Sequence, residues 1–400
     1  MGLNDTPSGE RIHIGFFGKR NAGKSSLVNA FTGQELAVVS DTPGTTTDPV
    51  RKAMELLPLG PVMIVDTPGY DDEGELGLER VKRTKKVLNM VDIALLVLDA
   101  TKKESEAEKE LQALFQKRNV PYIKVYNKCD LLDTVPEENE TELYVSAKNK
   151  TNIERLKEKV SRLVVTGEQT HKIVGDIINE GELALLVIPI DKAAPKGRLI
   201  LPQQQVIRDI LESGAAACTV RETELKYTME NLVKKPSIVI TDSQVFKYVN
   251  EVTPQDIRLT SFSILMARYK GFLEMAVEGA SKIKALKNGD KVLIAEGCTH
   301  HRQCGDIGSV KLPNMLKKFT GKELEIELSS GTGFPEELSD FSLIIHCGGC
   351  MLGAKDVMYR MKCALDSGVP VTNYGIALAY MQGILKRTIE IFPGMAEKMG

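Results

Sequence analysis

One short stretch near the start, Gly18-Lys-Arg-Asn-Ala-Gly23-Lys24-Ser25, does more than any other to limit the folds open to this chain. It follows the apolar run 12–17 and leads into a helix-periodic stretch. The order it requires is strand, glycine-rich turn, helix N-terminus. In that order the loop residues Gly18, Asn21, Ala22 and Gly23 offer backbone N–H groups to phosphate, and the helix end adds positive potential. Lys24 is placed to reach the β- and γ-phosphates, the Ser25 hydroxyl to sit on Mg²⁺, and Ser26 to complete the phosphate-binding set.

A pattern of this kind arises by chance often enough to need support, and four further segments supply it in order. Thr45-Thr46-Thr47 follows Gly44, and Thr46 is the preferred switch hydroxyl for the metal. Asp66-Thr-Pro-Gly69 ends the apolar run 62–66; Asp66 is positioned to hold Mg²⁺ and the Gly69 N–H to meet the γ-phosphate. Asn127-Lys128-Cys129-Asp130 follows another apolar run. There the Asp130 carboxylate can accept from the two N–H groups on guanine's Watson–Crick edge, which adenine does not present. Ser146-Ala147-Lys148 follows a short strand and is expected to line the base pocket. Together these segments specify GTP, with Lys24, Thr46 and Gly69 in the catalytic set.

Length favours two or three domains at 400 residues. Apolar, β-branched runs at 12–17, 62–66, 93–99 and 122–126 read as buried parallel strands, with helical stretches at 75–91 and 103–118. A second alternation has strands near 183–190, 216–220, 236–241 and 257–263, and helices near 201–213, 223–234 and 243–250. A third has strands near 291–296, 323–329, 341–346 and 369–373. Its helices lie near 265–286, 309–319, 351–366 and 375–387. The expected class is α/β in three units: a P-loop GTPase domain over 1–168, a middle domain over 175–264 and a metal-binding domain over 265–400. A polar stretch near 166–174 reads as the first linker. No Asn-Gly or Asp-Gly hairpin signal occurs in the middle unit, so parallel crossovers are expected there.

No apolar run approaches the ~18 residues of a membrane span, and no secretory signal is read at the N-terminus, so a cytoplasmic protein is expected. Gly2 and Thr6 fit a myristoylation pattern, but Asp5 and the lack of nearby basic residues favour the bland reading. The net charge of −2 argues against nucleic acid as the main partner. Seven cysteines, an odd number, point to metal or redox use rather than disulfides.

Two cysteine clusters stand apart from the nucleotide motifs: Cys298-Thr299-His300 and His346-Cys347-Gly348-Gly349-Cys350. Each follows an apolar strand. If those strands are parallel neighbours, both clusters lie at one carboxyl edge, where open α/β sheets bind ligands. Three thiolates suit an iron–sulfur cluster with an incomplete shell. Cys298, His300, Cys347 and Cys350 also suit a closed zinc site, with spacing alone placing the cluster only slightly ahead. Cys129 reads as inert, Cys218 and Cys363 as core packing, and Cys304 as a loop residue or an alternative ligand. His13 and His171 carry no signal.

The nucleotide motifs resemble the Era/TrmE-like branch of the translation-factor GTPases, with Pro68 and Tyr70 where other GTPases have a catalytic glutamine region. Relatives with Asn in the P-loop use K⁺ held by that Asn; Asn21 stands at the matching position, so the resemblance implies slow, K⁺-stimulated hydrolysis. The spacing of Cys-x-His and His-Cys-x-x-Cys, with residues 301–345 between them, resembles the HydF family of GTPase maturation factors of FeFe-hydrogenases. Pro195-Lys-Gly-Arg198 and Thr372-Asn-Tyr-Gly375 also look like that family. The resemblance covers almost the whole chain. It implies a scaffold binding a 4Fe–4S cluster through Cys298, Cys347 and Cys350, with His300, His346, an acidic side chain or water at the fourth position. It also implies a transient two-iron precursor, radical-SAM maturases and apo FeFe-hydrogenase as partners, an anaerobic cytoplasm, and a homodimer through the middle domain. The alternatives are an Era/TrmE-like GTPase of RNA modification or ribosome assembly with a structural metal site, and a cluster-dependent lyase or dehydratase using His300 or His346 as base.

Overall fold

A computed structural model gives the fold, with residues 11–34, 50–57, 59–67, 69–70, 84, 87–137, 139–165, 172–190, 199–297, 307–331, 333–335, 337–349 and 352–399 described. Gly2, Asp5, Thr6, Thr45, Thr46, Thr47, Pro68, His171, the Pro195–Arg198 motif, Cys298, His300, Cys304 and Cys350 lie outside the described residues, as does most of the expected helix 75–91. The chain divides into two compact units, residues 1–169 and 170–400. Among the described residues no helix is long and apolar enough to cross a membrane.

The first unit is built on six strands: β1 Ile12–Phe17, β2 Val50–Leu56, β3 Gly60–Asp66, β4 Ile93–Asp99, β5 Tyr122–Asn127 and β6 Glu142–Tyr144. Their order in the sheet is β2-β3-β1-β4-β5-β6. β1, β3, β4, β5 and β6 pair in parallel, as expected for the runs 12–17, 62–66, 93–99 and 122–126. All seven residues of β4 are buried, because helices cover both faces of a central parallel strand. β2 is a departure from the sequence reading: it pairs antiparallel with β3, Val50 opposite Asp66. Its sequence, Val-Arg-Lys-Ala-Met-Glu-Leu, is too charged to register as a buried strand. Separate cores fill the two faces, one around Phe16, Leu27, Leu95 and Leu156, the other around Phe17, Leu96 and Phe115.

The second unit holds two parallel sheets. One comprises β7 Leu183–Val187, β8 Ala216–Val220, β9 Ile238–Thr241 and β10 Arg258–Ser261, in the order β10-β9-β7-β8. The other comprises β11 Lys291–Glu296, β12 Glu325–Ser330, β13 Leu343–His346 and β14 Val371–Asn373, in the order β12-β11-β13-β14. Every pairing in both is parallel. A single apolar core runs from Ile173 through Ile240, Leu265 and Val277 to Ile344 and Ile389, so the two sheets share one interior. The expected helix 265–286 is broken: one helix covers Phe262–Tyr269 and another Leu273–Ser281, because Gly271 sits at φ 82°. The expected helix 375–387 breaks likewise into Tyr374–Met381 and Leu385–Ile389.

Candidate functional site

Nucleotide-site residues gather at the carboxyl ends of β1, β3 and β5. The helix Lys24–Thr32 begins directly after Gly23, whose φ of 86° turns the chain from loop to helix. Lys24 is 7 % exposed and folds back on the loop, donating to Gly18 O at 3.0 Å and Lys19 O at 2.8 Å. Its ammonium therefore closes the ring into which phosphate oxygens would fit. Ser25 Oγ donates to Asp66 Oδ2 at 2.8 Å. Asp66 is 2 % exposed, and its other oxygen, Oδ1, is buried without a hydrogen-bond partner. Burial pushes the Asp66 carboxyl up, against the downward pull of Ser25 and Lys24. A buried carboxylate oxygen left without a donor is what a cation beside Ser25 would satisfy, so the Mg²⁺ reading of this pair fits.

Gly69 presses against the loop. A Cβ there would stand 2.9 Å from Arg20 N, so only glycine brings this N–H close to the phosphate cradle. Tyr70 follows, fully buried, its N–H bonded to Gly18 O at 3.1 Å. Asn21 has an exposed side chain and a φ of 64°.

Asn127 does not face outward as a base reader would. Its Nδ2 donates to Ala22 O at 3.1 Å and reaches Gly23 O at 3.5 Å, while its Oδ1 accepts from Ala147 N at 3.0 Å. Lys128 donates to Asn21 O at 2.9 Å and to Asp99 Oδ2 at 2.7 Å. Asp130 is exposed and accepts from Ser146 Oγ at 2.5 Å, leaving its carboxylate at the mouth for a base; Lys148 is exposed beside it. Asp99 escaped the sequence reading. Burial works to raise its carboxyl, but the Lys128 and Thr101 hydrogen bonds outweigh it and leave it below the usual range. The signal was a lone acid at the carboxyl end of the apolar run 93–99.

The second site lies at the carboxyl edge of the last sheet. β11 and β13 are parallel neighbours, Ala295 opposite His346, as the cysteine argument required. Cys347 N bonds to Ala295 O at 2.8 Å, and its sulfur accepts from Gly297 N at 3.0 Å and Gly349 N at 3.3 Å. Burial pushes the Cys347 thiol up, while those two N–H groups pull it down. His346 is fully buried: Nδ1 lies 2.7 Å from Cys347 O and Nε2 3.5 Å from Arg360 Nη1. Burial and then Arg360 push it down to about 4, so the ring is neutral. Nδ1 is thus engaged by the neighbouring carbonyl, while the approach of Nε2 to Arg360 is at the long limit of a hydrogen bond.

Two further residues were missed. Arg360, 5 % exposed, donates to Asp356 Oδ1 at 3.1 Å and Gly331 O at 2.9 Å and lies over the Phe334 ring. Lys270 donates to Gly349 O at 2.6 Å and Leu352 O at 3.1 Å. Among the described residues no group of three or more His, Cys, Asp or Glu is disposed to hold a metal. Cys218 and Cys363 are partly buried against the apolar cores, as expected.

Comparison with known proteins matches three segments of the chain. Residues 13–128 match the model of a 50S ribosome-binding GTPase, 173–271 the hydrogen maturase F dimerization domain, and 274–391 the hydrogen maturase F tetramerization domain. GTPase Der of Wolinella succinogenes is 37 % identical over 194 residues, covering 44 % of this chain and 40 % of that protein. The tRNA modification GTPase MnmE of Coxiella burnetii is 35 % identical over 154 residues, covering 37 % of this chain and 34 % of that protein. The chain thus spans well under half the length of these curated relatives. A solved structure of Aquifex aeolicus Era bound to GDP and AlF4⁻ covers 80 % of this chain and 94 % of its own at 16 % identity, with a TM-score of 0.35, a likeness too slight to argue from.

Proposed function

From a chain that belongs to the hydrogen maturase F family, its two characteristic domains standing behind a GTPase domain, we propose a GTP-hydrolysing scaffold that binds a 4Fe–4S cluster and hands on a two-iron precursor. The precursor is cargo, delivered to apo FeFe-hydrogenase after synthesis by radical-SAM maturases. Cys298, Cys347 and Cys350 would hold the cluster. When bound, it supplies an iron with an exchangeable ligand. His300, His346, an acidic side chain or water would take that position.

One observation carries this reading. The residues immediately before Cys298 and Cys350, Gly297 and Gly349, both donate their N–H to Cys347 Sγ. Backbone N–H groups aimed at a sulfur are what a thiolate cluster requires, and they favour the charged form.

At the nucleotide site Lys24 exchanges its loop carbonyls for phosphate oxygens, and Ser25 with Asp66 holds Mg²⁺. Asn127 and Lys128 brace the loop, and Asp130 reads guanine. Asn21, with its exposed side chain, would bring K⁺ to the phosphates, so hydrolysis should be faster in K⁺ than in Na⁺. GTP and GDP states would then differ in affinity for partners. The two family domains support oligomerisation beyond the expected homodimer. RNA modification, the activity in the MnmE name, belongs to a relative matched over 37 % of this chain.

Anaerobic reconstitution with iron and sulfide tests the cluster. The expected product is a brown protein whose reduced EPR signal changes on adding imidazole or cyanide. Cys298→Ser, Cys347→Ser and Cys350→Ser should each lose most of the iron. Full iron content in all three variants would rule the cluster reading out.

A further inference from the structure

We propose that Lys270 is a positioning residue for the cysteine loop, reaching it from the part of the chain that matches the dimerization model; this rests on the reading of Cys298, Cys347 and Cys350 as cluster ligands. The residue owes its place to a helix that stops. The helix Phe262–Tyr269 follows directly on β10, and Gly271 at φ 82° ends it. Lys270 N then bonds to Met266 O at 3.0 Å, Gly271 N to Arg268 O at 2.9 Å and Phe272 N to Ala267 O at 2.9 Å, a closed C-terminal turn.

From that turn the side chain runs inward and is 8 % exposed. Its Nζ donates to Gly349 O at 2.6 Å and to Leu352 O at 3.1 Å. These carbonyls flank Cys350 in the sequence. Gly349 is thereby held at both ends: its N–H points at Cys347 Sγ and its carbonyl at the Lys270 ammonium. A lysine is rarely kept this far from water without hydrogen-bonded partners. Here those partners belong to the loop that carries two of the three cysteines.

The consequence is chemical as well as mechanical. Hydrogen bonds to the sulfurs tune an iron–sulfur centre, and the groups that orient its ligands govern retention of the metal. Lys270 fixes the peptide that makes one such bond. The helix that follows the β7–β10 sheet therefore contributes to the site at the edge of the β11–β14 sheet, and a change of packing around the helix Phe262–Tyr269 has a direct path to it.

The test uses the full chain as wild type, K270M, K270R and K270Q, each reconstituted anaerobically with iron and sulfide. Thermal melts check the fold; iron content, loss of iron to a ferrous chelator and the reduced EPR spectrum report the site. K270M should lose iron roughly 10- to 100-fold faster than wild type and show an altered EPR line shape, with K270R recovering most of the difference. If K270M does not fold, K270Q should move in the same direction by less. A folded K270M, or failing that K270Q, with wild-type iron loss and EPR would overturn the proposal. Wild-type protein that takes up no cluster would remove the cluster reading itself, and this inference with it.

Discussion

Asn127 ties together two loops that a nucleotide must find already in place. Its amide bridges Ala22 O and Ala147 N from the end of β5, so its value lies in holding the phosphate loop against the base loop. Asn127→Ala removes both bonds and strands a backbone N–H at Ala147. At about 1 kcal/mol per bond, GDP affinity should fall roughly 10- to 100-fold. A fluorescent GDP titration would show it, and an unchanged affinity would contradict the bracing role. Arg360 presents the opposite case, a buried charge that is costly to unpair. Its guanidinium and Asp356 are both nearly enclosed, 5 % and 8 % exposed. Arg360→Met should destabilise the second unit by about 3–5 kcal/mol, because Asp356 is left without its cation. Adding Asp356→Leu should restore most of that loss. Urea titration of both variants decides the matter; a double variant no better than Arg360→Met would show that Asp356 is not the source of the cost.

Between elements, the helix Leu273–Ser281 lies close against β14. A Cβ on Gly279 would sit 2.0 Å from Val371 O, a backbone atom that cannot rotate away. Gly279→Ala gains about 1 kcal/mol of helix propensity. Forcing the helix off the sheet costs about 1–3 kcal/mol or more, so the variant should melt lower despite the better helix former. A raised melting temperature would mean that the helix shifts freely. Such contacts were not legible in the sequence, because a glycine at a helix–sheet crossing looks like any other. The parallel strands were legible because β1, β4, β5 and β11 are rich in apolar and β-branched residues, β4 being buried along its whole length. β2 was not, because an edge strand with charges needs no apolar run and is recognised only by its partner β3. The helix break at Gly271 could have been read as a C-terminal cap, and with it the place of Lys270. Asn127, Ser25 and Asp66 were legible as a set because the spacing of nucleotide motifs follows from strand ends. The Arg360–Asp356 pair lies one helical turn apart and was open to reading. The reach of Arg360 to Gly331 O and of Lys270 to Gly349 O and Leu352 O joins them to backbone groups far away in sequence and carried no signal.

At the scale of the whole chain, the two compact units have separate interiors: one filled by residues such as Leu27 and Phe115, the other running from Ile173 to Phe392. Cores that share no residues have no reason to melt together, so heating should give two transitions. GDP with Mg²⁺ binds the first unit alone on the present reading. At about 100 times its dissociation constant it adds about 2.7 kcal/mol to that unit. For a unit of this size that corresponds to a rise of roughly 5–10 °C in one transition, with the other unmoved. Asn127→Ala should shrink the shift without altering the second transition. Arg360→Met should do the reverse, lowering the second and leaving the nucleotide response intact. Calorimetry on the three proteins separates the possibilities. A single transition that moves as a whole with GDP would mean that nucleotide energy reaches the cysteine-bearing unit directly. In that case partner affinity and cluster retention would both have to be measured as functions of nucleotide state, rather than site by site.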